Sequence, residues 1–182
     1  MITFIVPTVG RPSLMATLRS IETVPGDEIL IVGKGASWGL DSLRKHRPEI
    51  RLLNCEPGRD WGHTERNFAM QFARCPYIAH IDDDDVYAFG ARAAMADAIR
   101  TTPDRPVVFR MRFPNGIELW REPVVRCGNL GTPCFVTPNK PEMLGTWGSF
   151  VGGDCHFLET SKWRAEDYVW RQEVVALLGH NT

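Results

Sequence analysis

The sequence predicts an α/β fold: a mostly parallel sheet flanked by helices, with a small mixed part at the C-terminal end. Three observations predict it. In the first half, short apolar runs alternate with segments of helical apolar spacing, as β-loop-α units joined by right-handed crossovers require. After Thr101 the alternation stops and a turn-rich pattern replaces it. The 182 residues are close to one typical domain, and no repeat, low-complexity tract or linker divides them. We therefore read residues 1–182 as a single domain with halves 1–101 and 102–182.

Each element follows in order. Phe4 to Val6 reads as a strand; after the punctuation Pro7 to Ser13, Leu14, Leu18 and Ile21 recur at helical spacing. Glu28 to Val32 is a second buried strand, closed by Gly33-Lys34-Gly35, and Leu40 to His46 suits a short helix. Ile50 to Leu53 is a third strand, weakened by Arg51. From Thr64 to Arg74 the residues Phe68, Ala69, Phe72 and Ala73 share one helical face, with Thr64 as its cap. Tyr77 to Ile81 is a fourth strand. It runs into Asp82-Asp83-Asp84-Asp85, and Ala88 to Thr101 follows as an Ala-rich helix.

In the second half, Val107 to Phe113 and Ile117 to Trp120 flank Pro114-Asn115-Gly116 as a hairpin. Gly- and Pro-dotted stretches cover Cys127 to Pro141 and Gly145 to Gly153. A helix is expected after Asp154 and a last apolar strand from Val174 to Leu178.

Composition narrows the function. The 21 Lys and Arg nearly balance the 22 Asp and Glu, so no global field captures nucleic acid or an acidic membrane. The N-terminus lacks the basic start and apolar stretch of a signal peptide, and no apolar run is long enough to span a membrane, so a cytoplasmic protein is expected. Five cysteines without a close CxxC pair argue for reduced, mostly buried thiols rather than a disulfide framework or a structural zinc site.

The four-Asp run carries the strongest chemical signal. Adjacent carboxylates repel unless something positive sits among them, and this run lies beyond the carboxyl end of a strand, where open α/β sheets bind ligands. Oxygen ligands alone select a hard divalent ion, Mg²⁺ or Mn²⁺, that can bridge carboxylates to a diphosphate. The alternative is a solvated acidic turn whose last Asp residues cap the next helix.

Four segments together resemble the nucleotide-binding half of family 2 glycosyltransferases, whose fold is the Rossmann-like GT-A fold. They are Thr3 to Leu14 (TFIVPTVGRPSL), Glu28 to Val32 preceded by Asp27, Glu65-Arg66-Asn67 ahead of an Ala-containing helix, and Tyr77 to Asp85 (YIAHIDDDD). The resemblance covers about half the chain. It implies that residues 1–101 bind a nucleotide-diphosphate sugar and residues 102–182 face the acceptor. Asp82-Asp83-Asp84 matches the DxD motif, which implies Asp82 near the donor ribose, Asp83 beside it and Asp84 on the metal. Thr8 and Arg11 match the loop lining the nucleoside pocket. Arg66 matches an arginine near the donor, unless it is a helix-surface charge. The usual Asp pair after the second strand is absent, since Gly33-Lys34 stands there; Lys34 could reach a phosphate or remain a solvated loop lysine.

Beyond Thr101 the resemblance thins. Gly152-Gly153-Asp154 lies where an xED-type motif carries the catalytic base, which implies that role for Asp154, with Gly153 in place of the usual Glu. Otherwise Asp154 is a helix cap. Trp147, in the glycine-containing stretch Gly145 to Ser149, and Trp120 are candidates for stacking on a sugar, against simple packing. His180, after the last strand, matches a C-terminal metal ligand, with His156 as its competitor.

The expected activity is metal-dependent, inverting transfer of a hexosyl or pentosyl group to an acceptor hydroxyl. The chain is short for such an enzyme, so the acceptor region is minimal or is completed by a partner subunit, an oligomer or the acceptor itself. Two rivals stay open. A sugar nucleotidyltransferase needs a Gly-rich basic loop, which Val9-Gly10-Arg11-Pro12 only poorly supplies; the other is an inactive nucleotide-sugar-binding module.

Overall fold

The computed structural model describes residues 1–34 and 40–179. His180 and Gly35 lie outside the described residues. The elements are β1 (Ile2–Pro7), α1 (Leu14–Ser20), β2 (Glu28–Gly33), α2 (Asp41–His46), β3 (Ile50–Asn54), α3 (His63–Met70), β4 (Tyr77–His80), β5 (Val86–Tyr87) and α4 (Ala91–Thr101). They continue with β6 (Val107–Arg112), β7 (Glu118–Leu119), β8 (Phe135–Pro138), α5 (Gly153–Thr160) and β9 (Val169–Leu177).

The described strands form one sheet in the order β3-β2-β1-β4-β8-β6-β9-β5, with β7 beside β6. Its first four strands are parallel; β1, β2 and β4 are wholly buried because helices cover both faces, whereas β3, at the edge, is only partly so. Buried Ile2, Phe4, Val6, Ile29 and Ile31 pack on one face with Leu14 and Leu18; Ile5, Leu30 and Val32 pack on the other with Ala69 of α3. Period-2 alternation along buried strands thus feeds two apolar layers. Two ion pairs lock this sheet at its edge, Arg92 with Asp27 at 2.7 Å and Arg51 with Glu28 at 2.6 Å.

The second half is mixed, as the change of pattern predicts. β8 runs antiparallel to β4 and to β6, while β6 and β9 run parallel. The Asn115-Gly116 hairpin forms: Gly116 has φ +83°, and the Phe113 amide donates to the Ile117 carbonyl at 2.8 Å.

Several boundaries differ from expectation for local reasons. β5 intervenes between the Asp run and α4, because Val86 and Tyr87 pair with Leu177 and Ala176. β8 forms inside a stretch read as a loop, since its partners β4 and β6 are distant in sequence. α3 begins at His63 after Gly62, and Asp60 rather than Thr64 satisfies its first turn, accepting from the Thr64 amide at 3.2 Å. One chemical expectation also fails. Cys127 and Cys155 form a disulfide, with their Cα atoms 5.1 Å apart, tying the loop after β7 to the first turn of α5. Cys55, Cys75 and Cys134 are free thiols, as expected.

Candidate functional site

The Asp run emerges where β4 ends, beside the loop after β1, because β1 and β4 are parallel neighbours in register. That placement fixes the first side of the site. Thr8 donates to Asp83 at 2.6 Å and accepts from the Gly10 amide at 2.9 Å. Arg11 reaches both Asp83, at 3.1 Å, and Asp84, at 2.7 Å. Thr8, Arg11, Asp60, Trp61, Asp82 and Asp84 line a cleft of about 460 Å³.

Arg66 is fully buried, so it is no helix-surface charge. Its guanidinium forms an ion pair with Asp82, donates to the Trp61 carbonyl at 2.9 Å and lies 4.8 Å above the Trp147 ring. Arg66 thus acts on the site through Asp82, whose carboxylate it orients.

On the other side of the run lies a second cleft of about 710 Å³, lined by Asp82, Asp84, Asp85, Gly131, Gly152 and Asp154 among others. Asp154 sits in the first turn of α5, where its Oδ1 accepts from the Cys155 amide at 2.8 Å. Burial raises its carboxyl above the ordinary aspartate value, against that amide bond, and Asp82 adds to the rise. Asp84 is raised in the same way, by burial and by repulsion from Asp82, against the pull of Arg11. Asp85 goes further. Burial, then Asp82, push it up to about 7, although the Gly179 amide donates to it at 2.9 Å.

Gly153 shows why no larger residue occupies that position. A Cβ there would lie 2.2 Å from Cε1 of His63, so the imidazole fills the space a side chain would need. His63 is itself buried beneath the Trp147 ring, and its pKa is lowered by burial and by Arg66.

Two stacking expectations are corrected. Trp147 is 2% exposed, with its ring stacked on Phe135 and Phe157, so it supports Arg66 and His63 from within the core and presents no face to a sugar. Trp120 is buried edge-on against Trp170. Among the described residues the exposed indole is Trp61, which sequence reasoning missed because nothing in its local pattern separates it from a packing residue. Asp85 was read only as part of the run; its burial depends on β9 and the Gly179 turn, far away in sequence. Lys34 pairs with Glu56 at 2.9 Å on the surface. His156 packs edge-on against Phe150. Among the described residues, the one group of three metal-ligand types within 4.8 Å is Cys127, Cys155 and Glu159, and its sulfurs are bonded to each other.

No protein-family profile and no curated protein sequence matches the chain. Solved structures do. S. aureus TarS 1-349 in complex with UDP-GlcNAc matches with a TM-score of 0.68 over 97% of this chain and 57% of its own, at 14% identity. Mannosyltransferase PcManGT from Pyrobaculum calidifontis, in complex with GDP-Man and Mn²⁺, matches with a TM-score of 0.67 over 98% of this chain and 56% of its own, at 19% identity. The chain thus spans less than two thirds of either neighbour. At such identities the likeness is one of architecture, and it agrees with the four parallel strands, the mixed second half and the acidic run at the end of β4: the chain has the GT-A glycosyltransferase fold.

Proposed function

We propose that the chain is a metal-dependent glycosyltransferase that moves a hexosyl or pentosyl group from a nucleotide-diphosphate sugar to an acceptor hydroxyl, with inversion. One observation carries this reading: Asp82 and Asp84 line both clefts. A diphosphate held there has its nucleoside toward Thr8 and Arg11 and its sugar toward Asp154. The fold supports the reading, as do the nucleotide sugars bound by the two structural neighbours.

The donor set fits a hard divalent ion. Asp84 is raised by burial and by its acidic neighbours, a repulsion that a cation would relieve, and among the described residues the candidate ligand atoms beside it are carboxylate oxygens. Asp84 would hold Mg²⁺ or Mn²⁺, leaving most of the coordination shell to diphosphate oxygens and water. When bound, the ion stabilises charge on the departing diphosphate.

The chain's own residues do the rest. Thr8 and Arg11 fix Asp83, and Arg66 fixes Asp82, so the run is held rigid before the donor arrives. Asp154 takes the proton of the acceptor hydroxyl. The hydroxyl oxygen then forms its bond to the anomeric carbon as the bond from that carbon to the diphosphate breaks, and the nucleoside diphosphate leaves with the bonding pair. A carboxylate raised by burial is the stronger base for this step.

Calorimetry with UDP and GDP, with and without Mn²⁺, tests the donor site. Binding should require Mn²⁺, and Asp84→Ala should weaken it at least about tenfold. Unchanged, metal-independent affinity in Asp84→Ala places the diphosphate elsewhere.

A further inference from the structure

Between Trp61 and the Gly152-Gly153-Asp154 turn lies a third cavity, of about 190 Å³, lined also by His63, Thr132 and Val151. Three features of its wall point to one kind of occupant. His63 is only 6% exposed, yet its Nδ1 has no hydrogen-bond partner among the described residues. A neutral imidazole nitrogen either donates or accepts one hydrogen bond, so Nδ1 can pair with a hydroxyl in either tautomer. A buried polar atom without a partner is unfavourable, so a hydroxyl that supplied the missing bond would be favoured there.

The second feature is Trp61, a 65% exposed indole at the mouth of the same cavity. Its backbone carbonyl is held by Arg66, so the ring stands on a fixed support. An open aromatic face beside polar groups suits a ring that is apolar on its face and hydroxylated at its edge. The third is Asp154, the only carboxylate in the cavity wall among the described residues.

We propose that this cavity is the acceptor subsite and that its occupant is a saccharide, lying on Trp61, with one hydroxyl hydrogen-bonded to Nδ1 of His63 and another within reach of Asp154. His63 is then an acceptor-binding residue. Gly153 is what lets it in, because any Cβ at that position would displace the imidazole. The inference deepens the transferase reading and rests on it for the role of the bound saccharide.

The test labels the full chain with ¹⁵N-histidine and titrates it with N-acetylglucosamine, with methyl mannoside and with glycerol, a polyol that has no ring to lie on an indole. The Nδ1 resonance of His63 should shift with a saccharide, at a concentration about tenfold below that needed for glycerol. Trp61→Ala, a change at an exposed side chain, should abolish that preference while the spectrum stays folded. His63→Gln should raise the KM for a saccharide acceptor by about three- to tenfold and leave the KM for the donor unchanged. An Nδ1 resonance unmoved by both saccharides, or moved equally by glycerol, overturns the inference. Turnover of UDP-GlcNAc or GDP-Man with Mn²⁺, read separately, distinguishes the two failures. A chain that binds saccharide but turns over neither donor keeps the subsite and loses the transferase reading; a chain that hydrolyses donor while Nδ1 stays silent loses the subsite alone.

Discussion

The carboxylates on the two sides of the acidic run are built to opposite rules. On the donor side Asp82 and Asp83 each meet an arginine, and Asp83 also accepts from Thr8. On the acceptor side Asp85 and Asp154 meet backbone amides and apolar walls, and no lysine or arginine lies within ion-pair distance of them among the described residues. Under the proposed function the difference gives each side its task. Paired charges fix geometry, which a donor site needs, whereas unpaired buried carboxylates have raised proton affinity, which a proton-accepting site needs.

The sharpest way to break this contrast is to remove the proposed proton acceptor without removing its shape. Asp154→Asn should keep nucleotide binding and melt within a few degrees of wild type, while transfer to a hydroxyl acceptor falls by about 10² to 10⁴. Near wild-type transfer removes Asp154 from the chemistry. A structural aspartate would give the reverse pattern, lost stability with transfer retained per folded molecule.

Next in size is Arg66. Its guanidinium is fully buried, and Arg66→Ala strands Asp82 and leaves a cavity over Trp147. Breaking a buried pair costs about 3–5 kcal/mol, and because Asp82 keeps 34% of its side chain in water the lower end applies. Thermal denaturation should drop by roughly 6–12 °C. A drop of less than about 2 °C would show that the pair is not what holds the donor side.

The contrast also carries a sign in pH. Burial would raise Asp27, but Arg92 and the amides of Val24 and Ile2 hold it below its ordinary value. Its contribution is present above the unfolded aspartate value and fades as pH falls through the folded one. Asp85 behaves the opposite way. With a folded pKa of about 7, it favours folding most below pH of about 4 and loses that contribution as pH rises toward 7. In chelator, denaturant unfolding should therefore show wild type losing stability relative to Asp85→Asn from about pH 4 to 7, on top of the opposite slope that the buried His63 and His80 give to both. An identical slope in the variant would clear Asp85 of it.

What was legible in the sequence follows the same division. β1 to β4 were readable because a buried parallel strand is a short continuous apolar run, and Asp82, Asp83, Asp84, Thr8 and Arg11 follow those strands directly. Asp154 was placed by a motif. The environment of Asp85 was not readable, since β5 and the turn at Gly179 enclose it only through pairing across some ninety residues of chain. Trp147 was misassigned for a similar reason: a glycine-containing loop predicts exposure, yet Asn67 holds the Trp147 backbone from both sides, at 3.0 Å and 2.9 Å, and draws the ring into the core. The match of Gly153 to His63 is likewise invisible until α3 and α5 are brought together.

The smallest expected effect concerns Arg11, and it separates holding a carboxylate from holding the fold. Arg11 bonds two carboxylates, as many partners as Arg66 has, yet its side chain is 51% exposed. Water screens such a pair, and exposed ion pairs contribute about 0–1 kcal/mol. Asp83 would keep its Thr8 bond at Oδ2 in the variant and lose only the Arg11 bond at Oδ1, on the side of the open cleft. Arg11→Ala should therefore melt within roughly 3 °C of wild type, while weakening nucleoside-diphosphate affinity through the loss of a cation facing the donor cleft. Differential scanning calorimetry beside nucleotide titration reads both. A melting loss as large as that of Arg66→Ala would mean that exposure does not discount the Arg11 pairs, and that the donor side is held from its rim rather than from beneath Asp82.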